Sequence, residues 1–513
     1  MMSNQIVTSG TISGCTISPN ESLTVNANGF AYAILVDGGQ ETIFGTGSAT
    51  TIEQGGVLTV SAGVAHSTTV SSGGDFIVVS AGTGDRTTVL NGGTFVALDG
   101  GSASNLTISG GGIGFINNGV IATGITVAPG GVAVISSTNT TTVVDGLSVS
   151  SGGYAIILPG SGTVNEISGN GTFISTGIAL IEPGGSITTF NSSAPDLAVA
   201  SGIIELVLPG GIAQGGTVDP GANQQIFFGG LATNVVLSQS FQTVSSGAAA
   251  SGTVVDQGAV QYVYSGGSAT ATTVNSGGFV MVDSGGLATG VVVNDGGIET
   301  VDGAVVDTVV NSGGEESVVF SGSATDTTIN SGGYAYILGT ASGTQIRSGG
   351  YEVVEGEAIG AVVSSGGVLL AGYPLQLTNP PTTGEIINAT TVASGGLEVV
   401  FAGAIDSGTT VESGGTYVAL PGASVFNSAF DPGASIISTG IVLFEPPATI
   451  TFSSTFSNQS LTSGMSDYVL SSAIESGITI ENNAYSEVGS GGTATDTTID
   501  GGGTLSFAPS GLA

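Results

Sequence analysis

The chain has 513 residues with 90 Gly, 15 Pro and no Trp, and 40% of it is hydrophobic against 8% charged, the reverse of a disordered composition. Its 37 Asp and Glu face two basic residues, Arg86 and Arg347, for a formal net charge of −35, which excludes partners that demand cationic side chains, nucleic acid and anionic membrane surfaces alike. One cysteine, Cys15, excludes an internal disulfide, and the lack of a Gly-X-Y period excludes collagen.

The opening MMSNQIVTSG has neither a basic region nor a long apolar run and does not read as a secretory signal. No run of eighteen apolar residues follows, so no membrane-spanning helix is expected. From Asp37 onward a pattern sets in. The second glycine of each Gly-Gly falls at 39, 56, 74, 93, 112 and 131, and again at 278, 297, 314, 333, 350 and 367. Spacings of 17 to 19 residues mark a repeat architecture. Each unit, as in SGGEESVVFSGSATDTTIN from Ser312 to Asn330, holds four or five residues rich in Val, Ile, Tyr and Phe, a second turn, and a Thr/Val triplet. Short β-branched and aromatic runs bounded by Gly, Asn, Asp and Ser are strand signals.

A unit this short buries nothing alone. Wound into a coil, successive units pair as parallel strands and stack like residue over like. The fold class read from the residues is therefore an all-β parallel β-helix, a β-solenoid of imperfect 17–19-residue repeats. Alternation in Phe279–Val282 and Val291–Val293 sends one set of side chains inward, and Val292 is taken as one of them. The Gly-Gly pairs are expected where the backbone reverses at positive φ. Residues 1–513 read as one continuous solenoid, with irregular turns or projecting loops at 194–242, 371–391 and 441–483, where the Gly-Gly spacing loosens.

The SGG-x-x-x-V plus T-x-V unit, plainest at Ser276–Asn294 and Ser312–Asn330, resembles the repeats of AIDA-type autotransporter adhesin passengers, which also occur ahead of self-processing Hint domains. The resemblance implies a right-handed β-helix at the bacterial cell surface or outside the cell, acting in adhesion, self-association or biofilm formation, at times with sugars on Ser or Thr. The chain departs from that pattern at its end: GGGTLSFAPSGLA is followed by no translocator barrel, and no catalytic Cys of a Hint domain is present.

Chemistry has few candidates. His66 lies in AGVAHSTTV, which aligns with SGSATDTTI around Asp326, and reads as a histidine of the turn before a Thr-Thr strand, without a Gly-x-Ser-x-Gly elbow to serve. Paired carboxylates that cleave glycosides would have to come from Glu315 and Glu316 or from Glu352, Glu355 and Glu357, which read as exposed acids on a strand and turn. Tyr262 with Tyr264, and Phe227 with Phe228, are candidates for stacking on a glycan. Asp307 and Asp326, one unit apart, are candidates for a shared cation, with solvated acids as the simpler reading. No catalytic, cofactor-binding or metal residue is assigned and no cofactor is expected. The expected function is a non-enzymatic structural or adhesive solenoid forming a surface layer, filament or biofilm matrix. Its partners are expected to be other copies, associating end to end or laterally, and a surface glycan, without nucleic acid or membrane insertion. A polysaccharide-binding or -cleaving β-helix and a passive stalk for a missing domain are the alternatives.

Overall fold

The computed structural model describes residues 4–136, 141–158, 162–183, 186–372, 386–445 and 449–507. Every regular element among them is a β-strand, and no helix there is long and apolar enough to cross a membrane. A regular coil carries a long, a middle and a short strand, two of which merge in some coils of the first part, as in Ile121–Val127. In one coil these are Phe279–Val282, Leu287–Thr289 and Val292–Val293; in the next, Ile298–Val301, Ala304–Val306 and Val309–Val310. The pairing is parallel and without slip: Phe279 faces Ile298, Leu287 faces Ala304 and Val292 faces Val309. Four residues, Asp283–Gly286, separate the long and middle strands of the first coil, whereas Asp302 and Gly303 alone do so in the second. The imperfect period is thus absorbed in one turn while the strands stay in register.

Alternation along the strands places Val280, Val282, Ala288, Val291 and Val293 fully inside. Val292 is half-buried and faces outward, contrary to expectation, because the short strand begins one residue after the corner and Val291 already occupies the inward place. Five apolar side chains per coil, at roughly 1.5–3 kcal/mol each, offset much of the ordering entropy. The two glycines of each pair serve different ends. Gly277 lies at φ 74°, the left-handed region that costs an L side chain energy. Gly278 has ordinary φ, but a Cβ there would stand 2.2 Å from the Val255 carbonyl oxygen of the preceding coil. Positive φ therefore explains only the first glycine, and close approach of coils explains the second. At this corner Gly258 donates its N–H to Gly277 at 2.8 Å, and Gly277 donates to Gly296 at 2.8 Å. On an outer edge Asn294 donates to Asn275 at 3.0 Å, Asn311 to Asn294 at 2.9 Å and Asn330 to Asn311 at 2.8 Å, a column of side-chain amides joining coil to coil.

The chain divides into two compact units, residues 1–235 with 245–249, and residues 236–244 with 250–513. In the first, parallel coiling runs from Gln5 to Ile174. It then breaks: Ile178–Ile181 runs antiparallel to both Ile187–Phe190 and Ile204–Val207. Parallel pairing resumes with Ser193 opposite Ile212, Ala198 opposite Thr217 and Ile204 opposite Asn223. Residues 194–242, expected to be irregular, keep the three-strand pattern; the turn residues change, Pro220-Gly221-Ala222 standing where Ser-Gly-Gly stands elsewhere.

The second unit repeats the arrangement. Of the stretch 371–391, residues 373–385 lie outside the described residues, and the strands on either side pair regularly, Val368 with Leu397 and Glu357 with Ile386. In 441–483 the departure is confined to its first part, where Ile441–Glu445 runs antiparallel to Thr449–Ser453 and to Ser466–Val469. Beyond it, Ser460 pairs with Thr479 and Ser466 with Tyr485, parallel again. Both reversals start in runs without alternation, Ile178-Ala-Leu-Ile and Ile441-Val-Leu-Phe, and their residues are buried on both faces. Apolar side chains on the outer face need a cover. In the first unit Val132, Val134, Ile156 and Leu158 form one buried cluster with Ala179, Ile181, Leu206 and Leu208. In the second, Val353, Leu370 and Val418 do so with Val442, Phe444 and Tyr468.

Candidate functional site

Alternation decides the fate of the sequence candidates. Glu315 and Glu316 point to opposite faces, Glu315 exposed and Glu316 fully buried, so they form no cleaving pair. Glu352 is likewise buried; Glu355 accepts a 2.8 Å hydrogen bond from the Tyr336 hydroxyl outside, and Glu357 is half-buried at the start of the middle strand. The reading of Glu316 and Glu352 as exposed acids is therefore wrong. Each occupies the second place of a long strand, which faces in.

That place is the site the sequence reading missed. Glu41, Glu205, Glu299, Glu316, Glu352 and Glu398 all fill it, each buried to 1% exposure or less, and Gln224, Gln242 and Gln261 fill it in other coils. Their partners are buried threonines at the corner before the short strand. Thr308 donates to Glu299 at 3.2 Å, Thr327 to Glu316 at 3.2 Å and Thr272 to Gln261 at 3.0 Å. Neighbouring coils also bond directly, Gln261 to Gln242 and Gln224 to Glu205, each at 2.6 Å. The signal was present in the repeated x-Glu-x-Val strand, as in IETV, YEVV and LEVV, whose first and third residues face out with the second and fourth inside.

Burial disfavours the charged carboxylate. It pushes Glu41 and Glu352 up to about 8 and Glu205 up to about 7, against the pull of hydrogen bonds from Thr50, Thr344 and Gln224 respectively. Glu299 stands directly opposite Glu316 in register; burial raises both, and the neighbouring carboxylate raises Glu299 further. Burial therefore favours the protonated form along this interior row. The row is structural and polar, closed to solvent.

His66 ends a middle strand rather than occupying the corner, because Ser67, at φ 54°, takes the left-handed place that Asp326 takes elsewhere. Its Nδ1 lies 3.1 Å from Asp85 in the next coil. Asp85 also accepts from Ser104 at 2.7 Å, Asn105 at 3.2 Å and Arg86 at 3.1 Å, and the Ser104 hydroxyl foremost holds its carboxyl far below the usual range. Ser104 is thus spent on Asp85 and is not placed on His66, the contact a nucleophile needs. Asp307 and Asp326 are exposed at consecutive corners with φ 59° and 57°, and no group of three or more ligating side chains occurs among the described residues. Cys15 is half-buried against the core, and burial raises its thiol.

The aromatic candidates divide. Phe227 packs against the buried cluster around Leu206, whereas Phe228 is exposed. Tyr262 stacks on Tyr264 with centroids 6.1 Å apart at 11°, and Phe241 stacks on Tyr262 at 6.4 Å and 21°.

Residues 221–278 and 246–297 match a family model described as an adhesin of the bacterial autotransporter system, probable stalk; over that stretch the chain carries AIDA autotransporter adhesin repeats. Among solved structures, the TibC-catalyzed hyper-glycosylated fragment of TibA is 28% identical, with 73% of this chain and 96% of that one covered and a TM-score of 0.37. The Azotobacter vinelandii mannuronan C-5 epimerase AlgE6 A-module is 13% identical, covering 80% of this chain and 91% of that one, with a TM-score of 0.12. No curated protein matches. The assignment as a β-solenoid stands on the chain's own strand pairings.

Proposed function

We propose, from the adhesin stalk repeats at residues 221–297, that this chain is the surface-exposed, non-enzymatic stalk of a bacterial adhesin and that it holds cells together through contacts between copies. The observation that carries the reading is the coil itself. Three short parallel ladders, a core of apolar residues and an interior row of buried acids hydrogen-bonded to threonines and glutamines build a stiff element from small, repeated parts. The outward acids keep single molecules soluble and apart. A neutral stripe on one face, described below, supplies adhesion.

The experiment displays the chain on bacterial cells through a separate translocator domain and follows settling of the culture. Cells carrying the chain are expected to clump and settle faster than cells carrying the translocator alone. Equal settling, together with equal retention on a surface, overturns the reading. A second reading, binding of a surface glycan, is favoured by the stacked rings of Phe241, Tyr262 and Tyr264, since aromatic side chains pack against the apolar faces of sugars. Retention of the purified chain on immobilised polysaccharide, lost in Tyr264→Ala, tests it.

A further inference from the structure

The outward residues of the long strands reveal which parts of that face are covered. Where a long strand meets only solvent, its first and third side chains are polar or mixed and part-exposed, as Gln40 and Thr42 or Val57 and Thr59. Where another part of the chain lies over it, they are apolar and buried, as Val132 and Val134 in the first unit and Tyr351 and Val353 in the second. One stretch in the second unit breaks the rule. In two adjacent coils both outward places are apolar, Val260 with Tyr262 and Phe279 with Met281, and Phe241 and Ile298 extend them on either side next to Thr243 and Thr300; none of the six apolar residues is buried, with Phe241 at 44% and Ile298 at 37% exposure. The polar pair Glu315 and Ser317 ends the stretch. Beyond it Tyr334, stacked on Tyr351 at 5.8 Å, opens the covered part of the same face.

We propose that this four-coil stripe is an interface between copies of this chain, each laying the stripe against that of a second copy. The proposal rests on the stalk reading above and gives its adhesion a location. Its occupant follows from the molecule's own practice. Both covered stretches of this face are covered by apolar long-strand residues of another part of the chain, around Leu206 in the first unit and around Phe444 in the second. The bare stripe adjoins the second of these and is made of the same residue types. A stripe of the same composition on a second copy is self-complementary, as a two-fold contact requires. Its charge fits as well: with a formal net charge of −35 copies repel one another, and none of the six stripe residues is Asp, Glu, Lys, Arg or His.

Four coils at ~4.8 Å and a strand width of about 13 Å give roughly 250 Å² per copy, well below the about 800 Å² of a stable pair. Single pairs therefore form weakly, and many stalks standing side by side on a cell supply the multiplicity that makes weak contacts hold.

The test uses the full chain in sedimentation velocity from about 1 to about 500 µM, at about 0.5 M salt to screen repulsion. The variant is the triple Tyr262→Thr, Phe279→Thr, Met281→Thr. Thr42 and Thr59 already occupy third places and Thr94 a first place of uncovered long strands, so the fold accepts the change, and an unchanged circular dichroism spectrum verifies it. Wild-type protein is expected to associate as concentration rises, and the triple variant about ten-fold more weakly or not at all. In a Cys15→Ser background, Met281→Cys is expected to form interchain disulfides on mild oxidation faster than Thr59→Cys. Undiminished association of the triple variant, or equal oxidation at the two positions, overturns the stripe while leaving the stalk reading intact. A wild-type chain that stays monomeric throughout also overturns the stripe, and the settling assay then decides the stalk reading independently.

Discussion

Glu352 offers the sharpest check on the interior row. It is fully buried, and burial foremost raises its carboxyl to about 8, with a smaller push from Glu316 and an opposing pull from Thr344. The ordinary value is 4.5. Between these two values the folded chain keeps a proton that the unfolded chain has released, so stability falls as pH rises through the window and is fully present below it. At about 1.36 kcal/mol per unit, Glu352 alone removes about 4 kcal/mol between pH ~4 and pH ~8. Glu352→Gln preserves shape and hydrogen-bonding capacity but does not titrate, and Gln224, Gln242 and Gln261 show that the place accepts an amide. The variant is expected to match wild type at pH ~4 and to exceed its stability by about 4 kcal/mol at pH ~8. Because coils open locally, the readout is guanidinium unfolding at both pH values combined with hydrogen exchange of a peptide spanning Tyr351–Val354. Parallel pH profiles for the two proteins would refute the claim that this carboxyl is buried in its neutral form.

Other substitutions probe the coil directly. Val293→Asp places a charge at a fully buried position and is expected to cost more than about 3 kcal/mol, whereas Val292→Asp, on the outward side, is expected to cost under about 1 kcal/mol; thermal unfolding of the two variants compares them. Gly278→Ala meets the Val255 carbonyl oxygen at 2.2 Å and is expected to lower stability by about 1–3 kcal/mol, more than Gly277→Ala, whose cost is chiefly the left-handed φ, about 1 kcal/mol, its Cβ lying 3.3 Å from the flexible Gln257 side chain. Equal melting temperatures would contradict the separate roles of the two glycines. Asp85→Ala removes the acceptor shared by His66, Arg86, Ser104 and Asn105 and is expected to cost about 1–2 kcal/mol at neutral pH. Because the folded carboxyl is depressed, that stability is lost as pH falls below the ordinary range, so the variant and wild type should converge in acid unfolding.

Composition, period and alternation by themselves determined that this chain forms coils of short parallel strands. They did so because a unit of 17–19 residues has no other way to bury its Val and Ile rows. Tertiary structure alone decided the rest. Whether Val291 or Val292 faces in depends on where the corner residue ends and the strand begins, a matter of one residue that spacing does not fix. The Gly-Gly marker misled at 194–242, since the strands keep their pairing whatever residues build the turn. Conversely, the reversals at 178–190 and 441–453 escaped notice because an unbroken apolar run is compatible with either strand direction; only the partner strand sets its sense. The interior carboxyl row was hidden by the general tendency of Glu to face water, which yields here to the period-two geometry and to a threonine waiting at the opposite corner. Which outward rows are covered, and which stripe is left bare, is likewise a property of the folded chain, because cover comes from residues distant in sequence.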